Sequence, residues 1–164
     1  MENKRYKELK AAERGAWISI LAYIVLAFAK FFIGLYANSQ ALRADGLNNF
    51  TDVIASLSVL IGLKLARKPK DENHRYGHWK FENIASMVTS FIMLMVGIEV
   101  LYSSFEKIVN NSFTPPNPLS AFIGIGSAIV MIFVYIYNKR LAQKVNSQAL
   151  MAAAKDNLSD AYTS

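Results

Sequence analysis

Four aspartates and an asparagine stand where an apolar helix leaves little room for them. In the run Ala44-Asp45-Gly46-Leu47-Asn48-Asn49-Phe50-Thr51-Asp52, the polar residues Asp45, Asn48 and Asp52 recur at spacings of three and four. At 100° per residue they fall within about 60° of one another on a helix. Near the carboxyl end of the chain Asp156 and Asp160 are again four apart, with Asn157 and Ser159 beside them. A carboxylate inside a membrane costs at least about 2–3 kcal/mol even on lenient scales, and it persists where it faces a cavity, a partner or an ion. Two helices that each present an oxygen pair at i, i+4 can close on one cation from opposite sides. Asn48, Asp52, Asp156 and Asp160 together offer three carboxylates and an amide oxygen. Such a hard set suits Mn²⁺ or Mg²⁺ better than Zn²⁺, which favours imidazole and thiolate. Asp45 is an accessory candidate, for which helix entry and direct ligation both fit. Plainer readings stand beside these: hydrogen bonding between helices for Asn48 and Asp52, and an aqueous loop for Asp156 and Asp160.

A second cluster lies in Lys70-Asp71-Glu72-Asn73-His74-Arg75-Tyr76-Gly77-His78-Trp79-Lys80-Phe81-Glu82, which contains both histidines of the chain. Asp71, His74 and His78 are ordinary metal ligands and form a candidate loop site. The plainer reading is a pair of surface histidines. Gly77 allows a tight turn that a helix would not supply.

The elements that must position these groups are membrane helices. Of the 164 residues, 53% are hydrophobic and 18% charged. Leu119 to Asn138 runs without a charge, and Gly15 to Tyr36 holds only Lys30. At ~1.5 Å per residue each stretch spans roughly 30 Å, the hydrocarbon thickness of a bilayer. The expected fold is an all-α polytopic transmembrane bundle with spans near 15–36, 41–64, 81–102, 119–138 and 146–164. Only Val53 to Leu63 of the second span reads as lipid-facing. Lys30 can snorkel or pair with Asp45. The segments 1–14, 66–79 and 139–144 are basic, while 37–40 and 108–118 are read as the opposite-side connectors, the latter rich in proline. That alternation places the amino terminus in the cytoplasm, with Asn38 and Pro116 outside. The fifth helix stops without a polar exit, so the chain is expected to be a fragment of a longer protein.

The net charge of +6 is spread between apolar spans rather than gathered in a stripe, which argues for orientation in a membrane and against nucleic acid. With no cysteine in the chain there is no disulfide framework or thiolate site. No cofactor is expected beyond a transported metal.

These motifs resemble the cation diffusion facilitator family. Its second helix carries a stretch like Ala44-Asp45-x-x-Asn48-x-x-x-Asp52, its fifth a pair like Asp156-x-x-x-Asp160, and its cytoplasmic loop a run like Asp71-x-x-His74-Arg75-Tyr76-Gly77-His78-x-Lys80-x-Glu82. The resemblance implies six transmembrane helices and a cytoplasmic domain, of which the sixth helix and that domain are missing from these residues. It implies a homodimer in the cell membrane that exchanges metal for protons, with Asn48, Asp52, Asp156 and Asp160 as transport site and Asp71, His74 and His78 as the loop site of some zinc members. Zinc-transporting members usually carry histidine where Asp156 stands, so the likeness is to the manganese branch. Export of Zn²⁺, Fe²⁺, Co²⁺ or Cd²⁺ is the alternative. Repulsion among neighbouring carboxylates is relieved by a divalent cation or by protons, so the two should compete. A passive channel would share the ligands but not the proton coupling. An intramembrane aspartyl protease needs one aspartate from each of two facing helices, and the extra ligands and the histidine loop argue against it.

Overall fold

A computed structural model describes residues 2–72, 74–75, 77–110 and 118–164. These form five helices: α1 (Glu2–Tyr36), α2 (Gln40–Ala66), α3 (Lys80–Val109), α4 (Pro118–Val145) and α5 (Gln148–Thr163). The first four are long and apolar enough to cross a membrane. No strand occurs among the described residues, and the architecture is an all-α transmembrane bundle. Residues 111–117 of the proline-rich connector, Pro116 included, lie outside the described residues, as do Asn73 and Tyr76 of the histidine loop.

Helix extends past two of the expected spans. Residues 2–14 form the first turns of α1, because their Lys, Glu and Ala content favours helix and nothing in them breaks one. With 35 residues, α1 is roughly 50 Å long, well beyond a hydrocarbon core of ~30 Å. Its amino-terminal turns are held by charge. Arg5 meets Glu82 of α3 at 2.6 Å and donates to the Val145 carbonyl at the end of α4 at 2.8 Å, while Glu13 pairs with Arg67 at 3.1 Å. Likewise 139–144 is not a loop but the last turns of α4. Lys-Arg-Leu-Ala-Gln-Lys is a run of good helix formers, and the break comes only at Asn146.

That break repeats an earlier one. Asn38-Ser39-Gln40-Ala41-Leu42 and Asn146-Ser147-Gln148-Ala149-Leu150 are the same pentapeptide. Both asparagines have φ +50°, the left-handed conformation that asparagine tolerates better than most residues. Both serines then cap the next helix: Ser39 accepts from the Leu42 N–H at 3.3 Å and Ser147 from the Leu150 N–H at 3.2 Å, satisfying an N–H that has no partner within the helix. One local code thus opens both helices that carry the acidic motifs.

The interior is made of small residues and a few large apolar ones. Ala12, Ala16 and Ile20 of α1 pack with Val59 and Leu63 of α2 and with Ala149 and Leu150 of α5. Gly46 lets α1 and α2 touch backbone to backbone, since a Cβ there would lie 2.7 Å from the Phe31 nitrogen and 3.1 Å from the Ala27 oxygen. Close approach through small residues is the usual way membrane helices associate. The stretch Val53–Leu63 is not simply lipid-facing: Ala55, Ser56, Val59, Leu60, Gly62 and Leu63 are buried, and only one stripe of it, including Ile54, Leu57 and Ile61, is exposed. α5 contacts all four other helices, which puts its polar face in the centre of the bundle.

Candidate metal centre

Asp52 lies midway along α2, and Asp156 and Asp160 lie one turn apart on α5. All three are buried, at 3%, 7% and 9% exposure. One carboxylate oxygen from each falls within 4.8 Å of the others. Asn48, one turn before Asp52, lines the same cleft, which Ser159 and Gly97 of α3 also border. The Asp52 Oδ2 atom is buried and has no hydrogen-bond partner among the described residues. Three acidic side chains gathered in an apolar bundle are costly unless a cation or protons balance them.

Asp45 is set apart from this cluster. Its carboxylate takes the Lys30 ammonium at 2.8 Å, and that ammonium also donates to the Ser164 hydroxyl at 2.8 Å. Lys30 is 1% exposed, so Asp45 serves a buried cation from α1, the pairing its position in the span allows.

A hydrogen-bonded chain from α1 and α4 backs the cluster. The Asn138 amide donates to Ser19 at 2.7 Å and to the Asn157 carbonyl at 3.0 Å, and the Ser19 hydroxyl donates to the same carbonyl at 3.1 Å. The Asn157 amide donates to the Tyr23 hydroxyl at 3.0 Å. Tyr23, fully buried, donates to Asp160 and lies 3.4 Å from Asp156. The series ends on Tyr23, whose hydroxyl alone reaches the α5 carboxylates and holds them as an outer partner holds the ligands of a metal site. Sequence reasoning named Asn157 only as a neighbour and passed over Ser19, Tyr23 and Asn138. A signal was present: Ser19, Tyr23 and Lys30 fall within about 40° on one face of α1.

In the loop, Asp71, His74 and His78 also come together, with ligand atoms within 4.8 Å of one another. Asp71 meets His74 Nδ1 at 3.0 Å and His78 Nε2 at 3.4 Å, and the imidazole rings are 4.3 Å apart. Gly77 turns the chain at φ +85°, where a side chain would be strained. Hydrogen bonds from Lys68 and then His74 hold the Asp71 carboxyl below the usual carboxylate range, so it stays anionic beside the two histidines.

Comparison with known proteins shows the family. Residues 16–164 match the cation efflux transmembrane domain. The chain is 54% identical over 161 residues to the manganese efflux system protein MneS of Bacillus subtilis, covering 98% of this chain and 56% of that protein. It is 31% identical over 149 residues to MneP of the same organism, covering 91% and 50%. To the magnetosome protein MamB of Paramagnetospirillum magneticum it is 31% identical over 155 residues, covering 93% and 51%. The chain therefore spans about half the length of the curated relatives it matches. With one aspartate of α2 and two of α5 converging inside an apolar bundle, and a family match over nearly its whole length, the chain belongs to the cation efflux, or cation diffusion facilitator, family of integral membrane proteins.

Proposed function

We propose that the full-length protein exports a divalent cation, Mn²⁺ foremost, from the cytoplasm in exchange for protons, through alternating access to Asn48, Asp52, Asp156 and Asp160. The observation that carries this reading is the convergence of three buried carboxylates from α2 and α5 within 4.8 Å. Within that cluster Asp52 Oδ2 has no hydrogen-bond partner among the described residues, which leaves it available to a ligand. An all-oxygen set favours Mn²⁺ over Zn²⁺, and the names of MneS and MneP, manganese efflux system proteins, support the same choice. Protons and metal compete because either relieves the repulsion among the carboxylates. We read the protein as a homodimer of the cell membrane, and the Asp71, His74 and His78 cluster as a regulatory or structural metal site at the cytoplasmic surface.

The test is metal uptake by the full-length protein in proteoliposomes with an imposed pH gradient. Mn²⁺ flux should rise several-fold with the gradient and collapse when the gradient is dissipated. Flux indifferent to the gradient would mark a passive channel instead. Orientation follows from the basic segments, with the amino terminus, His74 and Lys139 in the cytoplasm. The absence of native cysteine in this chain simplifies the check. A cysteine at Asn38 should label from outside the cell, and labelling solely from inside would reverse the topology.

A further inference from the structure

The pentapeptide that opens α2 and α5 is the start of a longer correspondence. With residue n of the first segment set against n+108 of the second, Asn48 falls on Asp156, Asn49 on Asn157, Thr51 on Ser159 and Asp52 on Asp160. The same offset carries back into the preceding helices. The buried residues Gly124, Ser127, Met131, Val134 and Asn138 of α4 fall on Ala16, Ser19, Tyr23, Leu26 and Lys30 of α1, all of them buried as well. Two helix pairs thus share a turn, a cap, an inward face and a polar motif. They run in opposite senses across the membrane, because three membrane crossings separate the start of α2 from the start of α5. That is the signature of an inverted repeat, in which a site at mid-depth forms where the two copies meet. Asp52 and Asp160 each stand twelve residues beyond the first residue of their helix, Gln40 and Gln148, so the two motifs reach one depth from opposite sides.

We propose that the site consists of two inverted half-sites, Asn48–Asp52 and Asp156–Asp160, and that Asn48 and Asp156 are equivalent positions whose side chains can be exchanged. This rests on the transport-site reading and adds that the site is indifferent to which half supplies the third carboxylate. Asn48 already lines the cleft of the three aspartates, so a carboxylate there enters the same cluster. Asn49 does not serve as an alternative, since it lies 100° further round α2 and is the counterpart of Asn157, which is committed to Tyr23.

The experiment compares Mn²⁺ transport by four forms of the full-length protein in proteoliposomes: wild type, Asp156→Asn, Asn48→Asp/Asp156→Asn, and Asn49→Asp/Asp156→Asn. Asp156→Asn should lose transport by roughly 100-fold or more. The Asn48→Asp/Asp156→Asn exchange should recover at least about tenfold of that loss, and Asn49→Asp/Asp156→Asn should recover none. A dead exchange variant beside a dead Asp156→Asn overturns the equivalence while leaving the transport site intact, and so does equal recovery by both doubles. Full activity of Asp156→Asn would instead remove the transport-site reading itself. Should the exchange variant fail to fold, Mn²⁺ binding by two single variants decides. Asn48→Asp should bind about tenfold more tightly than wild type and Asn49→Asp should not; the absence of that difference overturns the proposal.

Discussion

Full-length protein carrying Asp52→Ala or Asp156→Ala will not transport Mn²⁺. Either change removes one of three carboxylates that meet within 4.8 Å and leaves the other two with a ligand set too small to hold a hard divalent ion. Outer partners of metal ligands are each worth about 10–100-fold in affinity or activity, so loss of a direct ligand should exceed ~100-fold. The measurement is initial Mn²⁺ flux in proteoliposomes, with protein amount matched. His74→Ala should cost far less, since its cluster lies in the loop, away from the carboxylates of the bundle. Normal Mn²⁺ transport by Asp156→Ala would mean that α5 does not contribute to the site.

Asp156→His should move the protein's preference toward zinc. Zn²⁺ gains from imidazole, whereas Mn²⁺ accepts higher coordination by oxygen. The exchange puts a neutral borderline ligand in place of a hard charged one, and the formal charge of the aspartate set falls from −3 to −2. Mn²⁺ should lose more than Zn²⁺, changing the zinc-to-manganese transport ratio by roughly tenfold, equivalent to ~1.4 kcal/mol. Asn48→Asp alone should leave that preference unchanged, because it adds another hard oxygen and no imidazole. The ratio is read at matched free-metal concentrations. An unchanged ratio in an Asp156→His protein that still transports would place selectivity elsewhere than in these ligands.

Membrane character and the polar faces were legible because both rest on local rules. Long apolar runs mark helices, and residues four apart share a face. Asp156 and Asp160 could be paired from spacing alone, as could Asn48 and Asp52. α1 and α4 extend past their expected spans of 15–36 and 119–138 for a related reason. Charge ends only the membrane-embedded part of a helix, and Lys139, Arg140 and Lys144 continue α4 to Val145. Asn146, with its left-handed backbone, is the residue that stops it.

The partners of the site were illegible because they depend on which helices become neighbours. Tyr23 shares a face of α1 with Ser19 and Lys30, but nothing local shows that this face reaches Asp160 across more than a hundred residues. Asn138 stands at the polar end of a span, and nothing local shows that its amide donates to Ser19 and Asn157. Asp45 shared a face with Asn48 and Asp52, and periodicity could not say whether it would face the cluster or Lys30. The buried ammonium of Lys30 decided that. The Asp71, His74 and His78 grouping needed only a turn at Gly77, so it could be read from spacing.

The most direct test is Mn²⁺ titration of the purified full-length protein in detergent, by calorimetry, comparing wild type with Asp52→Asn/Asp156→Asn/Asp160→Asn. The amides keep the size of the side chains and remove the charge. If α2 and α5 hold the transported ion, the variant loses one equivalent of Mn²⁺ per chain, whatever the histidine loop binds. Wild-type stoichiometry and affinity in that variant would contradict the assignment.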